Sequence, residues 1–436
     1  MKKCSIYNTF LELNSDYGLC YNALSDRFLL LKHKAYDILR ACDLTFLHDN
    51  HIDLFNQLVG INAIVDDAVD EVQQVRDMIR SVDNDDTCFQ LHVNPTVDCN
   101  FRCWYCYEDH KKGSRMDEKT VKSVKRLIDN ILDEHKQLTT FLLSFFGGEP
   151  LMYFNSVAKP LIEYATEACN KHDVRLGLSF TTNGYLLTPG MMDFFRDKDV
   201  SFQITLDGNR ELHNKTRFMK SGQGSFDKII SNIKALAVDG HHITIRINYT
   251  ADNLASVAAI SDEFADLDMK YRDNISVDFQ RVWQDDGTAA DEEAIDSLVF
   301  DDVKLFRSKG LHAYCSKYFN MVKNSCYGCK RNYVLVNFNG DLFQCTARDF
   351  ATDKRYGYLS EDGRLVYENG LVEQRRSVRF RKHVCEQCRI APICGGGCAQ
   401  KAMENIDNEK CPLGYGPKEI DKQVLYRFED GLLMPK

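Results

Sequence analysis

Three cysteines crowd one short run, Cys99-Asn100-Phe101-Arg102-Cys103-Trp104-Tyr105-Cys106. Three thiolates so close in sequence cannot complete a tetrahedral zinc site alone. A fourth ligand would have to come from elsewhere, and His110 is the near candidate. The same three can bind three irons of a [4Fe–4S] cube and leave the fourth iron open to a substrate or cofactor. Eight further cysteines gather toward the C-terminus: Cys326, Cys329 and Cys345, then Cys385, Cys388, Cys394, Cys398 and Cys411. Eight thiolates make two complete four-cysteine clusters, but C-x2-C pairs are also zinc knuckles, so spacing alone leaves both open.

The elements around the first group show how it would be positioned. From Phe89 to about Trp283 the chain alternates strand and helix patterns. Strands are expected at Phe89–Val93, Phe141–Phe146, Arg175–Phe180, Ser201–Leu206, His242–Tyr249 and Ser276–Val282. Helical spacing lies between them at about 117–136, 155–171, 189–197, 226–238 and 254–267. Six β/α units in succession predict a parallel sheet, curved or closed, with helices outside and chemistry at the C-terminal strand ends. The cysteine run follows the first strand directly. Gly147-Gly148-Glu149-Pro150 ends the second, Thr182-Asn183-Gly184 the third and Leu206-Asp207-Gly208 the fourth, and Asn248 stands near the end of the fifth. Each alone is more often a turn or cap than a ligand contact. Their recurrence at successive strand ends argues for a shared site.

C-x3-C-x2-C on a loop after the first strand, with aromatic Tyr105 before the third cysteine, resembles the radical S-adenosylmethionine (SAM) superfamily. The resemblance covers roughly residues 89–283. It implies an α/β fold with a partial (β/α)6 TIM-like barrel core. Cys99, Cys103 and Cys106 would ligate a cluster whose open iron chelates SAM. Tyr105 would pack near the adenine, Gly147, Gly148 and Glu149 would serve the SAM amino group, and Asn183 and Asn248 would add polar contacts. His213-Asn214-Lys215-Thr216-Arg217 resembles a segment of the subfamily with extra clusters. The chemistry implied is reductive cleavage of SAM to a 5′-deoxyadenosyl radical, which takes a hydrogen atom from the substrate.

The C-terminal cysteines resemble a SPASM domain, which implies two auxiliary [4Fe–4S] clusters. By the family pattern the first would use Cys326, Cys329, Cys345 and Cys398, and the second Cys385, Cys388, Cys394 and Cys411. Cys315 lies near enough to raise the question of whether it takes part.

Composition bounds the rest. The 436 residues suffice for two or three domains. The resulting division is a small α+β unit over 1–85, the core over 86–310, the cysteine-rich domain over 311–412 and a tail over 413–436. In the first unit Ile6–Leu13, Leu19–Ala23 and Phe28–Leu31 read as strands and Lys34 to about Leu44 as a helix, with Ser81–Asp86 as linker. A net charge of −9 argues against general affinity for nucleic acid or anionic membrane. No apolar run approaches the roughly 20 residues of a bilayer span, and the opening residues turn polar by Asn8, so a cytoplasmic location is expected. Cys4, Cys20, Cys42, Cys88, Cys169 and Cys315 fall outside the groups and read as small buried apolar residues.

SPASM proteins mostly act on peptides or proteins, so a polypeptide substrate and a reducing electron donor are the implied partners. Residues 1–85 loosely resemble the leader-peptide recognition element of ribosomal-peptide maturases, where a leader adds as an extra strand. The alternative is an anaerobic sulfatase-maturing enzyme, which makes formylglycine from Cys or Ser. Those enzymes usually carry an Asp base directly after the cysteine equivalent to Cys345. Here that position is Thr346, and the nearest acid is Asp349. A non-catalytic electron-transfer protein is a further alternative, against which the SAM-contact segments argue.

Overall fold

The computed structural model describes residues 1–285, 289–315 and 326–433. Its chain divides into two compact units: Met1–Asp85 with Tyr318–Arg331 and Val372–Lys436, and Asp86–Lys317 with Asn332–Leu371.

The second unit is built on one eleven-stranded sheet. Strands β6 (Cys88–Val93), β7 (Thr140–Phe145), β8 (Arg175–Thr182), β9 (Val200–Leu206), β10 (His242–Tyr249) and β11 (Ile275–Arg281) lie side by side in chain order, all parallel. Register sets apolar pairs opposite one another, as in Phe89↔Phe141, Leu91↔Leu143 and Val93↔Phe145. Phe145 stacks on Phe180 at 4.7 Å and Phe180 on Phe202 at 5.8 Å, so one aromatic row crosses three strands. The helix Glu118–Glu134 forms where Asp117 caps it by accepting from Thr120 N at 2.7 Å, and it buries Val124, Leu127, Ile128 and Ile131.

All six strands of the sequence reading are present, each to within two residues. The sheet, however, extends beyond them. β12 (His312–Tyr314) joins β11, while β13 (Tyr333–Val336) pairs parallel with β6 and leads to antiparallel β14 (Asp341–Phe343), β15 (Gly357–Leu359) and β16 (Leu365–Tyr367). The expected boundary at 311 therefore differs from the structure. Tyr333-Val334-Leu335-Val336 is buried throughout and completes the exposed edge of β6, so residues 332–371 belong with the core sheet.

In the first unit β2 (Asn8–Glu12), β3 (Tyr17–Asn22) and β4 (Arg27–Lys32) form an antiparallel meander, and β1 (Lys2–Cys4) pairs with β5 (Ile64–Asp66). Tyr7, Tyr21, Val75 and Ile79 share one core with Phe380, Ile390, Ile393 and Val424, so the first residues and the last pack as a single body. The expected linker at Ser81 starts later than read. The helix Glu71–Asp83 runs on to Asp83, whose carboxylate pairs with Arg379 and whose carbonyl accepts from Arg331 N at 2.7 Å. Cys4 and Cys42 are joined as a disulfide across 6.0 Å between Cα atoms, not buried as separate apolar groups. Cys20, Cys169 and Cys315 are buried, and the Cys315 thiol donates to the Phe279 carbonyl at 3.5 Å. No described helix is long and apolar enough to cross a membrane.

The helix Pro417–Leu433 is fixed to the meander by Arg427, which bonds both carboxylate oxygens of Asp26 at 2.6 Å while the Tyr21 hydroxyl donates to Asp26 at 2.8 Å. Arg427 is 11% and Asp26 32% exposed, so Arg427→Met should cost about 1–3 kcal/mol by taking the guanidinium from Asp26. Urea unfolding should show it as a lowered midpoint with an unchanged slope. An unshifted midpoint would mean the fork is solvated and idle.

Candidate active site

The cluster loop leaves β6 and is clamped at its root by Asp98. This buried carboxylate accepts from Cys99 N and Gly113 N, both at 2.9 Å, and pairs with Lys220 at 3.2 Å. Burial raises the Asp98 pKa, but these partners outweigh it and hold the acid below the usual carboxylate range. The segment after Arg217 lies along the loop, with Phe101 bridged to Met219 and Lys220 N donating to the Asn100 carbonyl at 3.3 Å.

Gly147 and Gly148 meet this loop directly. A side chain at Gly147 would strike the Thr96 carbonyl, and one at Gly148 would strike the backbone of Asp98. These glycines are therefore required by close packing of two backbones. Glu149 N then donates to the Asp98 carbonyl at 2.9 Å. The Glu149 side chain is fully buried and accepts from Thr182 Oγ1 at 2.7 Å, Asn183 N at 2.7 Å and Leu151 N at 2.9 Å. It ties the ends of β7 and β8 together.

Cys99, Cys103, Cys106, Tyr105, Gly147, Gly148 and Asn183 line one cavity at the C-terminal strand ends. Asn183 Nδ2 donates to Asn100 Oδ1 at 2.8 Å, which holds the loop over the end of β8. Glu149 does not line the cavity, because its carboxylate is spent on the scaffold. Asn248 reaches the cavity through Tyr105, donating to the phenol oxygen at 3.2 Å. Arg217 donates to the same oxygen at 2.6 Å, and the phenol donates to Asp207. The Tyr105 hydroxyl is thus saturated, and its ring is the part left to meet a ligand.

Sequence reasoning did not place Glu108 or Arg217 among the site residues, although both line the cavity. Glu108 Oε2 and Arg217 Nε are buried there without a hydrogen-bond partner, and burial pushes the Glu108 acid up to about 8. Position two after the third cysteine was the available signal for Glu108. For Arg217 it was the segment His213–Arg217. His110 also faces the cavity, its Nδ1 3.1 Å from the Val97 carbonyl. Burial pushes the Cys99 thiol up to about 12 and Cys106 up to about 11, values that bound iron would reverse. Among the described residues, no three metal-ligating side chains converge as a single ion would need.

The second cysteine set is equally grouped. Cys385, Cys388, Cys394 and Cys411 line one cavity of about 520 Å³ in the first unit. Three consecutive left-handed glycines, Gly395, Gly396 and Gly397, carry the chain around it with φ of 61°, 88° and 74°. Cys326, Cys329 and Cys398 belong to this unit, whereas Cys345 belongs to the other.

Residues 93–264 match the family profile described as the Radical SAM superfamily, and the chain carries a radical SAM domain. Such a domain implies a [4Fe–4S] cluster and SAM. Three grouped thiols beside a buried carboxyl oxygen and guanidinium nitrogen that have no hydrogen-bond partner among the described residues fit an iron cluster with an amino-acid ligand. The chain is similar to a cysteine-type anaerobic sulfatase-maturating enzyme of Clostridium novyi (strain NT), 28% identical over 342 residues, 71% of this chain and 87% of that protein. It is similar to the radical SAM cyclopropyl synthase TigE of Paramaledivibacter caminithermalis, 22% identical over 409 residues, 85% of this chain and 83% of that one. Its fold also resembles the crystal structure of Streptococcus suis SuiB bound to precursor peptide SuiA, with TM-score 0.51 and 16% identity, over 92% of this chain and 96% of that one.

Asp207 is fully buried and Arg217, 3.9 Å away, nearly so. Arg217→Met should strand the carboxylate and cost about 3–5 kcal/mol, while Asp207→Asn with Arg217→Met should recover part of the loss. Thermal or urea unfolding of the four proteins measures the coupling. Additive single effects would refute it.

Proposed function

We propose that this chain is a radical SAM peptide maturase that modifies a ribosomally made, leader-bearing peptide. The observation that carries the reading is the reach of the fold likeness. The fold likeness to SuiB spans 92% of the chain and so extends into the first 85 residues, while that to the solved anSMEcpe with bound AdoMet spans 79%; in sequence, TigE matches 85% of the chain and the sulfatase-maturating enzyme 71%.

In this reading Cys99, Cys103 and Cys106 hold the SAM-binding cluster, and Cys385, Cys388, Cys394 and Cys411 hold an auxiliary one. When bound, the cluster and SAM together supply a 5′-deoxyadenosyl radical for hydrogen-atom removal. The chain's own residues orient and enclose. Asp98 fixes the loop, Asn183 bridges it to β8, and Glu108 and Arg217 offer a carboxyl group and a guanidinium to the two ends of an amino acid. The leader adds to the meander as an extra strand at β4, an edge strand with Leu30 exposed.

The 28% identity to a sulfatase-maturating enzyme favours a second reading, formylglycine formation. That reaction needs a base within about 3 Å of the substrate's thiol or hydroxyl proton. Thr346 is a poor acceptor, and Asp349 is paired with Lys354 at 2.6 Å. Anaerobically reconstituted protein should therefore leave a sulfatase-type Cys or Ser peptide unchanged, while modifying a leader-bearing peptide, as read by mass spectrometry. Formylglycine that disappears in Asp349→Ala would overturn the maturase reading. Replacing Cys99, Cys103 and Cys106 with Ala should remove the iron of one cluster, about four atoms per chain, and all 5′-deoxyadenosine formation. Turnover surviving that change would overturn radical SAM chemistry at this loop.

A further inference from the structure

In the first unit a hollow of about 300 Å³ is lined by six arginines, Arg76, Arg80, Arg331, Arg375, Arg376 and Arg379. Among the described residues, three carboxylates lie within it or are bonded to its arginines. Asp83 pairs with Arg379, Glu386 pairs with Arg76, and Asp77 stands 3.7 Å from Arg80 in water. Arg375 is buried and donates to neutral acceptors, the Gly328 carbonyl and Gln400 Oε1, both at 2.7 Å. Arg376 donates to the Arg331 carbonyl at 3.4 Å, and both residues are exposed. Positive charge concentrated in a concavity with low-dielectric walls focuses its field on an approaching anion. This happens on a chain whose net charge is −9, so an acidic macromolecule is repelled on average and admitted here.

Cys329 lines the same hollow. The SPASM resemblance implies that it is a ligand of the other auxiliary cluster, so the inference rests on that resemblance as well as on the proposed function. A small anion or an acidic peptide would gain nothing from a redox ligand in the wall. A protein that delivers electrons would.

We propose that this arginine hollow is the docking site of an acidic, low-potential one-electron carrier protein, which reduces the chain's iron–sulfur clusters past Cys329. One electron leaves the reduced carrier and enters the cluster; the carrier is oxidised by one, and no bond or proton moves. Charge complementarity governs the encounter, so it acts chiefly on the association rate and weakens with salt.

The test uses the iron-loaded full chain and a reduced flavodoxin, with stopped-flow absorbance following flavin oxidation and fluorescence anisotropy following binding. Arg80→Glu, Arg331→Glu and Arg376→Glu together should lower the association rate about tenfold or more. Those three lie at the exposed rim, and iron content with circular dichroism reports whether the variant is folded. The corresponding Gln variants, taken singly, and the salt dependence of the unaltered chain give the answer should the triple variant lose iron. An unchanged association rate, or binding indifferent to salt, overturns the proposal. So does a glutamate-rich peptide that saturates the hollow without displacing flavodoxin, which would make it a peptide site. Failure of the unaltered chain to cleave SAM with dithionite would instead strike the radical SAM reading, since dithionite needs no docking site.

Discussion

The Glu149 carboxylate has no exposed surface, and three donors converge on it, two from the end of β8 and one from the turn that follows Glu149. Burying a carboxylate costs several kcal/mol unless its lone pairs are met, so wherever Glu149 sits, Thr182 and Asn183 must sit as well. Its backbone N–H meanwhile holds the Asp98 carbonyl, one residue before the first cluster cysteine. Loop, second strand and third strand are thereby registered by one side chain and one amide. Because Gly147 and Gly148 leave no room between those backbones, the loop cannot slide along the strand ends without a collision. The position of the three thiols follows from that constraint.

A second buried system holds the other wall. Tyr105 comes from the loop, Asp207 from the end of β9, Arg217 from the segment after it and Asn248 from β10, and all meet at one phenol oxygen. Burial drives the Asp207 acid upward while Arg217 and Tyr105 draw it back, and the phenol is driven so far up that it stays protonated and donates. His213 supports this wall from behind, its Nε2 2.9 Å from Ser225 Oγ, which donates to the Arg217 carbonyl at 2.6 Å. The network joins a loop residue, two strand-end residues and Arg217 into one enclosure, which suits chemistry in which a reactive species must meet only its substrate.

Much of this was legible from residue patterns. Strands β6 to β11 stood out through apolar residues that run together, as in Phe141-Leu142-Leu143, or alternate with polar ones, as over His242–Tyr249, and the turn residues ending them marked the site. Contacts made across distance were not legible. Nothing local in Tyr333-Val334-Leu335-Val336 says that it pairs with β6, more than two hundred residues earlier. A strand-end polar residue looks the same whether it faces a cofactor or another strand, so nothing local announced that the Glu149 side chain bonds the end of β8 or that Asn248 bonds Tyr105. The Cys4–Cys42 disulfide was invisible for the same reason, since neither residue has a neighbouring cysteine to suggest a partner.

The first unit carries that lesson into function. Tyr7 and Tyr21 of the meander share their core with Phe380, Ile390 and Ile393, and Ile6 and Asn8 line the cavity of Cys385, Cys388, Cys394 and Cys411. A ligand that binds the folded cavity stabilises everything cooperative with it, by an amount set by its affinity. Filling the cavity therefore firms the meander, and a peptide added to the meander firms the cavity, since linkage runs equally in both directions. A recognition element excised at residue 85 would lose the apolar surface against which its own tyrosines pack. On the proposed reading, substrate recognition and cluster retention are thus properties of one body, and a change that weakens either should be felt in the other.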